Sequence, residues 1–346
     1  MSSEYGETQA RPAGRQKTWL RRAGRRSSGY ALTPPTSPAQ PLILIVALAL
    51  IVIVARQTAP AKDVLRKPLP LPTPGQPASK RARGEAKRKG QFFTRLDLAK
   101  RYVRILKNRV DLADLQVVEP SAGGGAFLKV LPSGSFGCDI EPHCEDVFTA
   151  DFLTLEINSN RPIACVGNPP YGKNSKLAVS FFNHAASFSE VIAFILPRTF
   201  RKASTINMLD DRFHLLHEVL VPTNAFVFEG KAHSVPTVFQ IWVRREDRRA
   251  KLPEIKTHVD FTFTSGADAD FAIQRVGNDA GKVHHDRWRS PQAHYFIKGH
   301  VEDIMRKLKP EFAKAAANTA GNPSLSKPEV VAIYDKAISK RSRRVR

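Results

Sequence analysis

Four consecutive residues, Asn168-Pro169-Pro170-Tyr171, combine a side-chain amide, a rigid diproline backbone and an aromatic ring. That combination suits a reaction at a planar nitrogen, whose lone pair is delocalised and therefore a poor nucleophile. The Asn168 side-chain oxygen and the Pro169 carbonyl can each accept one N–H bond. Together they would draw the nitrogen towards a tetrahedral shape and aim its lone pair at an electrophile. Tyr171 can stack on the ring being presented. Methylation of such a nitrogen is one of the few reactions that needs all three groups. Asn-Pro also favours turns, so the tetrapeptide by itself is compatible with a purely structural role.

Fifty residues earlier, Val117-Val118-Glu119-Pro120-Ser121-Ala122-Gly123-Gly124-Gly125-Ala126-Phe127-Leu128 runs from an apolar strand pattern through glycines into a helix pattern. Glycines there let backbone approach a ligand closely and begin a helix whose N-terminus attracts anionic groups. The spacing matches neither the dinucleotide fingerprint nor the P-loop. Some twenty residues after Glu119, Gly137-Cys138-Asp139-Ile140-Glu141 places an acid at the end of a second strand, where doubly wound folds bind ribose hydroxyls. Asp151 and Phe152 close a third strand-like segment and offer a carboxylate acceptor and an apolar wall suited to an adenine ring.

These residues need a scaffold that brings strand ends together. Apolar runs at 117–119, 164–166, 191–196, 215–221 and 238–243 alternate with helix-like stretches, predicting mostly parallel strands. Helical spacing is clearest at 96–106 and 177–188. Open sheets of this kind bind ligands beyond the carboxyl ends of their strands, and Glu119, Asp139, Asp151 and Asn168 all fall at such ends. Each acid has an ordinary alternative, a helix cap for Asp139 or Asp151 and a surface position for Glu119. Four together favour one site.

The order of these motifs resembles that of the N6-adenine DNA methyltransferases in which the cofactor motif precedes the catalytic one. Gln91-Phe92-Phe93-Thr94 is similar to the family's N-terminal cofactor motif, Glu119 to Gly125 to its glycine-rich motif, and Asp139 to its ribose-binding acid. Asp151 and Phe152 fall where the family holds the adenine of S-adenosylmethionine, and Asn168-Pro169-Pro170-Tyr171 is similar to its catalytic motif. The resemblance covers about residues 90 to 245. It implies a Rossmann-like, doubly wound α/β methyltransferase sheet that uses Phe93, Thr94, Glu119, Pro120, Ser121, Ala122, Gly123, Gly125, Asp139, Asp151 and Phe152 to hold S-adenosylmethionine. It also implies a second aromatic face for a flipped base, for which Phe226 and Phe228 are the nearest candidates, although either can equally be core. Release-factor-modifying glutamine methyltransferases share the Asn-Pro-Pro-Tyr motif, so an amide nitrogen in protein is the alternative substrate. A non-catalytic nucleic-acid-binding module is a third reading.

The chain carries a net charge of +22, of which about +13 lies in residues 1–90, about +4 in 91–338 and about +5 in the last eight. The net charge supports a polyanionic partner, DNA or RNA, and the basic footprint lies mostly in the tails. The basic stretch at 80–89 can clamp phosphates, direct nuclear import or serve as a solubilising linker. Within the domain, Lys173 and Lys176 follow the catalytic motif and Arg198, Arg201 and Lys202 follow the apolar run at 191–196. They are candidates for phosphate contacts. Further on, Arg275 and Lys282 border a basic hairpin pattern.

The remaining segments divide the chain. Residues 1–41 read as a disordered basic leader. Residues 42–55 form an apolar segment, short for a membrane span and suited to an anchor or a targeting element. Residues 56–89 read as a Pro-rich, basic linker. The methyltransferase domain is assigned to 90–245, a small α+β subdomain to 246–338 and a basic tail to 339–346. That subdomain is small for a sequence-reading domain, which raises RNA as a substrate class. Cys138, Cys144 and Cys165 lack paired spacing, predicting neither structural zinc nor disulfides, and the proposed chemistry needs no metal.

Overall fold

A computed structural model describes residues 53–55, 93–228 and 231–344. The leader, the apolar segment up to residue 52, the linker with its basic stretch, Gln91 and Phe92 lie outside the described residues. The strands, in chain order, are β1 (Ile53–Ala55), β2 (Phe93–Thr94), β3 (Gln116–Glu119), β4 (Phe136–Asp139), β5 (Val147–Thr149), β6 (Leu155–Ile157), β7 (Ile163–Gly167) and β8 (Val191–Pro197). They continue with β9 (Phe213–Leu220), β10 (Phe226–Phe228), β11 (Lys231–His233), β12 (Thr237–Arg244), β13 (Thr262–Thr264), β14 (Phe271–Gln274), β15 (Val283–His284) and β16 (His294–Lys298). The helices are α1 (Leu96–Lys107), α2 (Lys176–Phe188), α3 (Ala203–Ile206), α4 (Glu302–Lys307), α5 (Lys309–Ala316) and α6 (Lys327–Arg344).

Seven strands form the main sheet in the order β5-β4-β3-β7-β8-β12-β9. All run parallel except β12, which is antiparallel to both β8 and β9. From β3 the chain winds outward through β4 to β5, then crosses back to place β7 on the other side of β3. The sheet therefore reverses its direction of winding between β3 and β7, which makes a crevice at their carboxyl ends. This is a Rossmann-like, doubly wound α/β sheet.

The sequence produces this layering directly. In β8 every residue is buried, and successive side chains join opposite cores: Ile192, Phe194 and Leu196 one, Val191, Ala193 and Ile195 the other. A strand covered on both faces reads as an unbroken apolar run. Each face is covered by a helix with a single apolar stripe. Leu98, Ala99, Tyr102, Val103 and Leu106 of α1 bury on one side, and Ala178, Phe181, Phe182, Ala185 and Ala186 of α2 on the other. Both sets follow the three-and-four spacing of one helix face.

Three smaller arrangements frame the sheet. β2 pairs with β10, and β10 with β11, so the start of the described domain is laid onto a hairpin inserted between β9 and β12. The three described residues of the apolar segment, β1, pair antiparallel with β6. No described helix is long and apolar enough to cross a membrane. Beyond β12, the antiparallel sheet β13-β16-β14-β15 packs with α4, α5 and α6 around its own core of Phe271, Ile273, Ile297, Phe312 and Tyr334. The helix α6 continues to Arg344, through most of the segment read as a basic tail.

Candidate active site

The crevice between β3 and β7 opens into a cavity of about 510 Å³, and the strand-end residues meet there. Glu119 is the last residue of β3. Its carboxylate is buried beneath the glycine loop, and Oε2 accepts a hydrogen bond from the Leu128 N–H at 2.8 Å. Burial pushes the Glu119 carboxyl well above the usual carboxylate range, partly offset by the Leu128 and Phe127 N–H groups. Between the unfolded and folded pKa values, the native state thus holds a proton that the unfolded chain has released. The associated stability is complete below the unfolded value, about pH 4, and is lost as pH rises through the folded one. Glu119→Gln keeps an oxygen for Leu128 and should flatten that decline, so its melting temperature should overtake the parent's as pH rises. A parallel pair of melting curves across pH would exclude this account.

Asp139 ends β4, and its carboxylate grips the loop from the other side. Oδ2 accepts from Gly123 N–H at 2.8 Å and from Ser121 Oγ at 3.5 Å, while Oδ1 accepts from Glu141 N–H at 2.9 Å. Gly123 adopts φ 49°, and a Cβ there would lie 2.8 Å from a Phe93 ring carbon. The position excludes side chains by conformation and by space. Phe93 is partly exposed and meets His143 edge-on at 5.2 Å. Beside it, Thr94 lines the cavity, and its buried Oγ1 has no hydrogen-bond partner among the described residues.

Asp151 caps the short turn 152–154, with Oδ1 accepting from Leu153 N–H at 3.0 Å. The ordinary capping role is therefore realised, and the residue still lines the cavity. Phe152 stacks on Phe181 with ring centroids 5.3 Å apart, giving an apolar wall. Pro120, Ala122 and Gly124 also line the cavity, whereas Gly125, at φ 70°, turns the chain away towards Cys144.

Asn168 follows β7 directly and borders the same cavity with Pro170. Tyr171 departs from the expected exposed stacking platform. Its ring is buried in the core on the α2 side, and its hydroxyl donates to Asn168 Oδ1 at 2.7 Å. Burial also raises the phenol's pKa well above its ordinary value. The oxygen read as the substrate acceptor is thus engaged by the neighbouring tyrosine. Tyr171→Phe should lower stability by about 1 kcal/mol, the usual net worth of one hydrogen bond, and keep activity within about ten-fold. Loss of all activity in that variant would instead make the hydroxyl essential to the reaction.

The segment after the motif is strained. Gly172, Asn174 and Ser175 all have left-handed φ values, 67°, 55° and 61°. Such conformations persist where surrounding contacts impose them, and here the buried Ser175 Oγ hydrogen-bonds Thr199 Oγ1 at 2.7 Å.

Among the cations, Lys173 and Lys176 are exposed beside the Asn168–Tyr171 segment. Arg198 is half-buried at the end of β8, and its Nε has no partner among the described residues. Arg201 and Lys202 do not fit free phosphate contacts. Arg201 pairs with Glu218 at 3.0 Å and donates to Asn318, and Lys202 pairs with Glu329 at 3.0 Å and donates to the Ser324 carbonyl. Both fasten the main sheet to the C-terminal subdomain. Arg275 lies over the Tyr295 ring at 5.0 Å, while Lys282 is exposed. Phe226 is fully buried in the core on the α1 side, so it cannot form the second face of a base pocket. The Phe228 side chain lies outside the described residues.

The cavity also recruits Ile140, His143, Leu177 and Phe181, which the sequence reading missed. Ile140 is 62% exposed directly after Asp139, and its position following the acid was the available signal. No group of three possible metal ligands occurs among the described residues.

No model of a known protein family matches the chain, and neither does any curated protein. Solved structures do match, at low identity. A provisionally assigned RNA methyltransferase of Pyrococcus horikoshii is 16% identical over 43% of this chain and 82% of its own, with a TM-score of 0.32. A Thermoplasma acidophilum protein is 17% identical over 46% and 90%, with a TM-score of 0.33. The magnesium protoporphyrin IX methyltransferase of Synechocystis, solved with bound S-adenosylmethionine, is 13% identical over 43% and 78%, with a TM-score of 0.31. At these scores the chemistry must rest on the site itself.

Proposed function

We propose that this chain is an S-adenosylmethionine-dependent methyltransferase acting on the N6 amino nitrogen of adenine in nucleic acid. The observation that carries the reading is the convergence of Asn168 with Asp139, Thr94 and the glycine loop on one cavity at the point where the sheet reverses its winding. The cavity suits the cofactor chemically. Asp139 offers carboxylate oxygens for ribose hydroxyls, and the loop backbone and Thr94 Oγ1 offer polar groups for the amino-acid end. Ile140, Phe152 and Phe181 offer apolar walls for the adenine.

When bound, the cofactor supplies a methyl group made electrophilic by a sulfonium charge. The protein's task is orientation. Asn168 Oδ1, released from Tyr171, and the Pro169 carbonyl would accept the two amino hydrogens and turn the lone pair towards the methyl donor. The nitrogen's extra proton is then lost to water, so no strong base is required. A base within a duplex must leave the stack to reach this depth, which costs a few kcal/mol and favours unpaired adenines.

The test incubates the full chain with methyl-labelled S-adenosylmethionine and DNA, RNA or total cell protein, followed by identification of the labelled product. N6-methyladenine establishes the reading and names the polymer. Label in protein glutamine supports the release-factor-type alternative, and absence of label from all three substrates defeats the proposal.

A further inference from the structure

Positive charge is not spread evenly over the folded part. Residues 95–109 carry about +5 and residues 282–300 about +3. In the second segment, the turn joining β15 to β16 lifts Trp288 to 82% exposure, whereas Trp242 is buried in the main sheet. Single exposed apolar side chains are ordinary on protein surfaces, so the open indole gains meaning from the arginine beside it and the ordered turn that presents it.

The turn is built rather than loose. Asp286 accepts from Trp288 N–H at 3.3 Å and from Arg289 Nε at 2.7 Å. The Arg287 guanidinium donates to the Ala269 carbonyl, and its own carbonyl packs so closely on Gly266 that a Cβ there would sit 2.1 Å away. At the far end His294 Nδ1 meets the Ser290 carbonyl at 3.0 Å. The trailing end of the turn connects to the catalytic half through three bonds. Ala293 accepts from Arg275 N–H, Arg275 from Leu325 N–H, and Ser324 from Lys202 Nζ, each at 2.8 Å.

We propose that this turn is a docking platform for a single-stranded stretch of nucleic acid, with Trp288 stacking on an unpaired base and Arg289 contacting a flanking phosphate. The assignment deepens, and rests on, the nucleic-acid reading of the catalytic cavity. Stacking on an aromatic face is tolerant of base identity and gains from adjacent cations. The exposed Arg289–Asp286 pair is weak and exchangeable for a phosphate. A pre-ordered turn pays little ordering entropy on binding.

The test uses the full chain carrying Trp19→Phe, which leaves Trp288 and the buried Trp242 as its indoles. It is titrated with labelled oligo(dT), which has no adenine and so does not depend on the catalytic cavity. The expected result is quenching of the tryptophan emission at saturation. Trp288→Ala should weaken binding about ten-fold, and Arg289→Ala should reduce the salt slope by about one. Binding by anisotropy without quenching, as the basic tails alone would give, overturns the proposal. So does unchanged affinity in Trp288→Ala, or equal quenching by a blunt duplex. Quenching in a protein that transfers no methyl group would support the platform and defeat the catalytic reading, which separates the two failures.

Discussion

Asn168→Ala should fold, bind S-adenosylmethionine as the parent does, and lose methyl transfer by about 10²- to 10³-fold in kcat. The size follows from removing one pre-aligned hydrogen-bonding group at a reacting centre. Asn168 stands at the end of β7 on the cavity wall, and its side chain is not part of either core. The change should cost little stability beyond leaving the buried Tyr171 hydroxyl without its acceptor, about 1–3 kcal/mol. Single-turnover rates beside equilibrium cofactor binding would separate the two effects. A variant with full rate would remove Asn168 from the mechanism, and one with weakened cofactor binding would make it a wall of the wrong subsite.

Asp139→Ala should strike the other half of the site, raising the cofactor dissociation constant by on the order of 10²-fold or more while saturating cofactor restores most of the rate. Charged hydrogen bonds of this kind contribute about 1.5–3 kcal/mol each. Asp139 is placed both to hold Gly123 N–H and to face the cavity, so its loss also frees a loop whose left-handed glycine depends on that anchor. Calorimetric titration with S-adenosylhomocysteine would measure it. An unchanged constant would assign the carboxylate to loop structure alone.

Much of the sheet could be read in the chain because it is buried on both faces. β8 and β12 show as apolar runs, and α1 and α2 show single stripes at helical spacing. Such patterns are local, so a sequence carries them plainly. The partners of polar and charged groups are not local. Lys202 was read as a phosphate contact, yet its partner Glu329 lies 127 residues away in another subdomain. Phe226 was read as either a base-stacking ring or a core residue, and the choice is made by the pairing of β10 with the distant β2, which sets its side chain in the core. The depth of Tyr171 was hidden for the same reason. Nothing in Asn-Pro-Pro-Tyr says whether the ring faces the crevice or packs behind it.

The hydroxyl of Tyr171 on Asn168 has a consequence for how any substrate is received. A group tethered three residues from the acceptor is a competitor that dilution cannot remove, and its strength is an effective concentration. The apparent dissociation constant of an incoming base equals its intrinsic value divided by the fraction of molecules in which the tyrosine has let go. With a bond worth about 1 kcal/mol, that fraction is near one in six, the same for every base. The clasp therefore lowers affinity across the board without altering preference, and selectivity must come from elsewhere in the pocket.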